Sequence, residues 1–335
     1  MALTLSQIRT LRRKLLAWYE QHRRDLPWRR NKDPYRVWVS EIMLQQTRVA
    51  AVLEHYARFM RRFPSLRALA AAREQSVLAA WSGLGYYHRA RRMHQAAKLI
   101  VRERGGVFPT TAEQWSELPG IGRYTAAAIA SIAFGQPVAV VDGNVERVLE
   151  RLTRHDGGRE AAWQHAQRLL DPRRPGDFNQ AAMELGASIC TPRAPQCLIC
   201  PLNTVCQTKG MLPAPPTAAR KCKHLQYALV RAKNAVLLAR RPAEASLMAG
   251  MWELPVMPAE SVNGNHPVLC LRHSITDTDY RVAIYAAPAA SFEERWADAR
   301  WFTYRQCERL PLTGVTRKVL RRMRAESAPA RRVSK

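Results

Sequence analysis

The chain changes hydrophobic texture near residue 210. Before that point apolar residues recur every three to four positions. Ile8, Leu11, Leu15 and Trp18 form one series; Val49, Val52, Leu53, Tyr56, Phe59 and Met60 form another, which stops at Pro64. Residues three and four apart share one helix face, so both runs predict amphipathic helices. A third series, Val145, Val148, Leu149 and Leu152, follows Asp142-Gly143-Asn144. An Asp at that place caps the free N–H groups of a helix start. No alternating strand pattern competes before residue 210.

Gly210–Lys223 is rich in Pro and Ala without any period and predicts a linker. Leu225–Leu238 then reads as two short strands around Lys233-Asn234. Val268–Leu271 and Arg281–Ala286 read as further strands, and Val315–Met323 as a closing helix. The pattern predicts a mainly α core and a smaller α+β domain. A length of 335 residues suits two domains. No stretch approaches the ~18–20 apolar residues of a membrane helix. The first residues, Met1 to Ser6, run into a helical pattern without an apolar core and small-residue cleavage site, so the reading is of a chain that is not secreted.

Charge narrows the partner. Lys and Arg number 53 against 27 Asp and Glu, a formal net charge of +26, while 47% hydrophobic residues supply ordinary cores. A folded protein so basic predicts a polyanionic partner, most simply nucleic acid. Residues 1–62 hold 14 basics against 5 acids. From Tyr86 to Arg104 six basics (Arg89, Arg91, Arg92, Lys98, Arg102 and Arg104) face Glu103 alone. Beside Tyr86-Tyr87-His88 they are expected to track phosphates while aromatics reach bases. The basic tail, 328–335, reads as a frayed end.

Cys190, Cys197, Cys200 and Cys206 lie in a C-x6-C-x2-C-x5-C run. Clustered cysteines in an intracellular protein point to metal ligands rather than disulfides. Zinc and a four-iron cluster both accept four thiolates. The unequal gaps differ from paired zinc-ribbon knuckles and favour iron–sulfur. Leu118-Pro119-Gly120-Ile121-Gly122 precedes a small-residue helix. Gly120 and Gly122 permit a tight turn and close approach of backbone N–H groups to a ligand. The following helix start adds partial positive charge, so this hairpin is a phosphate anchor.

LPGIGRYTAAAI resembles the helix-hairpin-helix of the endonuclease III superfamily of DNA glycosylases. VVDGNVERVL resembles the segment with that superfamily's catalytic aspartate, and the cysteine run matches its 4Fe–4S loop. Ser40–Val49 and Gly83–Met93 resemble the MutY adenine DNA glycosylase branch. The resemblance is dense over residues 10–210 and weaker beyond, where GMWELP matches a MutY-type segment of a Nudix-like domain that lacks the full Nudix box. It implies a glycosylase core at 1–209, with a six-helix barrel at 28–134 and an iron–sulfur domain built from 1–27 and 135–209. A linker at 210–223 and a Nudix-like lesion reader at 224–327 follow. The implied cofactor is a 4Fe–4S cluster, with zinc as the alternative. The implied partner of a monomer is double-stranded DNA carrying adenine opposite 8-oxoguanine or guanine. A bacterial source would place it in the cytoplasm, with the nucleoid.

Breaking an N-glycosidic bond needs an acid for the leaving base and a carboxylate facing the sugar cation. The candidates are Glu41 and Asp142. Glu41 sits among Val37, Trp38, Ile42 and Leu44, where burial would raise its pKa. By resemblance Glu41 protonates N7 of a flipped adenine, Asp142 stabilises the cation, and Tyr124 and Asn144 support them. Bifunctional relatives carry a Schiff-base lysine where this chain has Tyr124, which implies a monofunctional enzyme. Gln46 and Tyr86 match side chains that wedge into the base stack; Gln45 and Tyr87 read as scaffold. Arg24, Leu26 and Trp28 match the pocket segment, with core packing an equal reading for Trp28. His273 and Thr276 match a lesion-reading loop in which Ile275 and Asp277 depart from the family pattern. The remaining alternatives are a related glycosylase with another target base and a non-catalytic DNA-binding iron–sulfur protein.

Overall fold

The computed structural model describes residues 3–154, 157–210, 219–242, 244–245, 247–257, 266–275, 277–288 and 299–327. They form two compact units, one within 1–70 and 95–217, the other within 71–94 and 218–335.

The first unit is helical. It contains α1 (Leu5–His22), α2 (Pro34–Leu44), α3 (Val49–Arg62), α4 (Leu66–Ala70), α7 (Ala112–Ser116), α8 (Arg123–Phe134), α9 (Gly143–Thr153), α10 (Gly158–Leu169) and α11 (Pro175–Ser188). Local chemistry sets the starts. Thr4 and Gln7 close a capping box on α1, and Asp33 caps α2 with Pro34 in its first turn. Helix α8 is the axis. Its buried run Thr125–Ser131 is almost all Ala, Ser and Ile, so α2, α7 and α11 pack directly against it. Gly176 of α11 marks one close approach: a Cβ there would stand 2.6 Å from the Ser131 carbonyl oxygen. Trp38 and Trp115 are fully buried with ring centroids 5.6 Å apart and anchor the core on the α2 side.

The second unit joins α5 (Glu74–Trp81) and the start of α6 (Tyr87–Glu103) to the α+β region. One sheet orders β1 (Lys221–Leu229), β6 (Thr278–Ala286) and β5 (Leu269–Ile275), with β1 parallel to β6 and β5 antiparallel to it. In the other, β3 (Ala235–Arg240) pairs with β2 (Arg231–Ala232), β4 (Trp252–Glu253) and β7 (Ala299–Thr303). Short α12 (Tyr304–Cys307) and long α13 (Gly314–Ser327) complete it. Val236, Leu238, Ile284, Val315 and Val319 share its core.

The grouping differs from the expected boundaries at two places. Residues 71–94, expected within a barrel at 28–134, group with the C-terminal unit. Ser82 Oγ donates to the Leu312 carbonyl at 2.8 Å, Arg317 Nε donates to Ser82 Oγ at 3.1 Å, and Arg91 donates to the Ala249 carbonyl. The linker expected at 210–223 is shorter, because β1 begins at Lys221; residues 211–218 lie outside the described residues. Among the described residues no helix is long and apolar enough to cross a membrane.

Candidate active site

Helix α2 brings Glu41 into the helical core, where it is 6% exposed. Its Oε2 accepts a hydrogen bond from the Tyr124 hydroxyl of α8 at 3.0 Å. Burial pushes the Glu41 carboxyl up to about 7. The Tyr124 bond and the Arg29 charge oppose that rise, and the nearby Asp142 adds to it. Burial also raises the Tyr124 phenol well above its ordinary value, so it stays a neutral donor.

Asp142 caps α9. Its Oδ1 accepts from the backbone N–H groups of Asn144 (2.9 Å) and Val145 (2.7 Å), and its Oδ2 accepts from the Asn144 side-chain amide (3.0 Å). Three donors fix the carboxylate in one direction. Arg147 in turn donates to the Asn144 side-chain oxygen (3.0 Å), the Gly186 carbonyl (2.8 Å) and the Cys190 carbonyl (2.9 Å). Gly186 of α11 touches the same group: a Cβ there would lie 2.8 Å from the Asn144 Cβ and 3.0 Å from its carbonyl oxygen. Gly186→Ala should therefore displace Asn144 and cost about 1–3 kcal/mol. A chemical-denaturation curve together with the base-release rate checks it: both should fall, whereas an unchanged pair would show that the neighbours accommodate the methyl group.

Two residues emerge that the sequence did not single out. Glu184 of α11 is 2% exposed and binds Arg24 Nε and NH2 at 2.5 and 2.9 Å and Arg29 NH2 at 2.9 Å. Those two partners hold its carboxyl below its ordinary value against the opposing effect of burial. The Arg29 guanidinium also packs over the Tyr19 ring at 5.6 Å. Thus Arg24 and Arg29 form one ion-pair cluster on Glu184, and the Arg29 charge also acts on Glu41. Leu26 is buried, and Trp28 is buried edge-on to Tyr56 at 5.1 Å, so both pack in the core.

The hairpin between α7 and α8 places Gly120 at φ +79°, a left-handed conformation that favours glycine. Gly122 is the N-cap of α8 with no side-chain cap, and a Cβ on it would meet nothing within 4 Å. The backbone there faces open space, as an anion site at a helix start requires. Gln46 is exposed just past α2 at φ +53°, and Gln45 donates to Thr125 Oγ1 at 3.0 Å. In the other unit Tyr86 has φ +48°. Such backbone costs about 1–3 kcal/mol for a non-glycine residue and gathers at functional sites. Tyr87 is buried instead, its hydroxyl 3.4 Å from the Leu312 carbonyl.

Cys190, Cys197, Cys200 and Cys206 are free thiols that line one partly open cavity of about 30 Å³, together with Arg151. Arg151 donates to the carbonyls of Thr191 (2.7 Å) and Pro192 (2.9 Å) and so holds the loop. Burial pushes the Cys200 thiol up to about 11. Among the described residues no three or more His, Cys, Asp or Glu side chains are gathered closely enough to hold a metal ion. His273 lies on β5 with its ring against Gly314, where a Cβ would approach to 3.1 Å. Burial, then Lys318, pushes it down to about 4, so it is neutral. Asp277 lies 3.6 Å from Lys221, which offsets its charge. Thr276 lies outside the described residues.

Residues 39–172 match the family described as HhH-GPD superfamily base excision DNA repair protein. The adenine DNA glycosylase of Mus musculus is 36% identical over 95% of this chain and 78% of its own length. The chain belongs to the adenine DNA glycosylase family. The Rattus norvegicus relative is 40% identical over 78% of this chain, and the Homo sapiens relative 49% over 61%. The chain spans 63% and 40% of those two proteins. A thermostable thymine-DNA glycosylase superposes with TM-score 0.57 at 28% identity, over 62% of this chain and 98% of its own. An endonuclease III–DNA covalent intermediate gives TM-score 0.55 at 23% identity, over 63% of this chain and 99% of its own, which shows the fold. As a member of this family the chain is a DNA glycosylase and binds DNA.

Proposed function

We propose that the chain flips adenine out of a mispair with 8-oxoguanine or guanine and hydrolyses its N-glycosidic bond. The observation that carries this reading is the pairing of a buried carboxyl pushed up to about 7, Glu41, with the capped carboxylate of Asp142. A protonated Glu41 donates to N7 of the base. The C1′–N9 bond breaks, its electron pair leaves with adenine, and Asp142 faces the sugar cation until water adds at C1′. The Tyr124 phenol offers no amine for a Schiff base, so the strand stays intact. Gln46 and Tyr86 offset the cost of base extrusion by filling the stack. The hairpin at Gly120 and Gly122 grips a phosphate, and Arg24 with Glu184 borders the base. By their motif positions His273 and Thr276 are assigned to reading the lesion.

A duplex panel tests this. Adenine opposite 8-oxoguanine, guanine, thymine and cytosine is incubated with enzyme in excess, and the released base is identified by mass. Free adenine from the first two duplexes is expected, with strand cleavage only after alkali. Release of another base, or none, would overturn it.

We further propose that Cys190, Cys197, Cys200 and Cys206 hold a 4Fe–4S cluster. Four thiols line one space, and four thiolates are the donor set that such a cluster takes; its binding would draw the four sulfurs closer together than they stand in the structure. The cluster would tie the cysteine loop together, and α9, which carries both Asp142 and Arg151, would share that restraint. Metal analysis of anaerobically purified protein should return about four iron atoms per chain; one zinc ion instead would contradict it.

A further inference from the structure

The basic run after Tyr86 reads in the sequence as a phosphate-tracking face. Arg89 does not fit that reading. It is 6% exposed, with its guanidinium 5.5 Å from the Trp81 ring centroid and 5.2 Å from that of Tyr86. Its NH2 group faces the carbonyls of Leu84 at 3.4 Å and Gly85 at 3.3 Å. The Gly85 carbonyl also accepts from Trp81 Nε1 at 3.1 Å, and the Arg89 backbone N–H bonds the Tyr86 carbonyl at 2.9 Å. These contacts converge on a loop with three left-handed positions: Gly83 at φ +109°, Gly85 at +73° and Tyr86 at +48°. Burial pushes Arg89 down to about 10, so it remains charged at neutral pH.

We propose that Arg89 is a positioning residue for Tyr86. One end of its guanidinium faces two carbonyls while the flat face lies against two rings, and a lysine ammonium has no flat face to fill the space between those rings. The loop is thereby held in its strained shape, and the Tyr86 ring is aimed, before DNA arrives. Arg89 contributes to base extrusion through Tyr86 and little to phosphate binding. The proposal rests on the reading of Tyr86 as a side chain that wedges into the duplex.

The test compares Arg89→Lys, Tyr86→Ala and the double variant on a duplex with 2-aminopurine beside the target adenine. Fluorescence reports extrusion, and binding is titrated against salt. Arg89→Lys should slow extrusion about tenfold, leave the salt slope unchanged, and add no further loss in the Tyr86→Ala background. A slope lowered by about one phosphate contact with normal extrusion in an Arg89→Met variant would overturn the proposal. So would multiplicative losses in the double variant, or an Arg89→Lys rate equal to the wild type. Should Arg89→Lys fail to give a cooperative melt, Trp81→Phe keeps a ring and removes the Nε1 donor to Gly85. It should give a smaller loss of the same kind, again absent without Tyr86, and no loss would count against the proposal. Unchanged extrusion in Tyr86→Ala would overturn the wedge role and this proposal together; normal adenine release there would leave the glycosylase reading standing.

Discussion

Glu41→Gln is expected to slow adenine release by on the order of 10²–10⁴-fold and to leave affinity for the mispaired duplex nearly unchanged. Glutamine fills the same space and can still accept the Tyr124 hydroxyl bond, so binding geometry survives while the transferable proton is lost. Single-turnover kinetics with parallel binding measurements check it, and a rate within a few-fold of wild type would remove Glu41 as the acid. Stability should move the other way. In the folded protein the carboxyl keeps its proton up to about 7, whereas in the unfolded chain it ionises near 4.5. Its burial is therefore tolerated below the unfolded value, and the penalty grows as pH rises from there to the folded value. At pH 8 the wild type carries the full penalty, about 3 kcal/mol. Glu41→Gln should be the more stable protein there, by up to that amount. The gap should close by pH 4.5, as denaturation midpoints at the two pH values would show.

Asp142→Asn carries the second large effect. Asparagine is itself a good N-cap, and its side-chain oxygen can keep the bonds from the Asn144 and Val145 N–H groups. Its amide, however, would meet the Asn144 amide donor where Oδ2 now accepts. The negative charge facing the sugar cation is gone. Base release should fall by at least about 10²–10³-fold, while the melting transition moves little, since the cap remains. A large loss of stability with a proportionate loss of rate would instead mark Asp142 as a helix cap and nothing more.

The local signals were legible. Asp142 before an apolar periodic run is a helix start on chemistry alone, and α9 begins where that signal put it. The hairpin glycines announced a turn, and Gly120 has the positive φ that such a turn uses. The closing helix and the strands around Lys233-Asn234 also followed from pattern. Tertiary partnerships did not. Glu184 lies 155 residues from Arg29 in sequence, and nothing near either position announces the other. The apolar periodicity of α11 gives Glu184 no mark as a buried charge. Arg89 misled for a related reason: a basic residue amid basics reads as surface until the rings of Trp81 and Tyr86 are seen to cover it. Strands β4 and β7 are not visible in the pattern because one has only two residues and the other depends on pairing with β3, at least sixty positions away. His273 matches a motif position in the sequence, but its burial against Gly314 is visible only in the fold.

The pH dependence of single-turnover adenine release most directly tests the central claim, that a protonated, buried Glu41 delivers the proton. On a duplex with adenine opposite 8-oxoguanine, the rate should fall about tenfold per pH unit once the pH exceeds about 7, where Glu41 ionises. Glu41→Gln should show no such limb. A wild-type rate that rises with pH, or stays level from pH 6 to 9, would contradict the account.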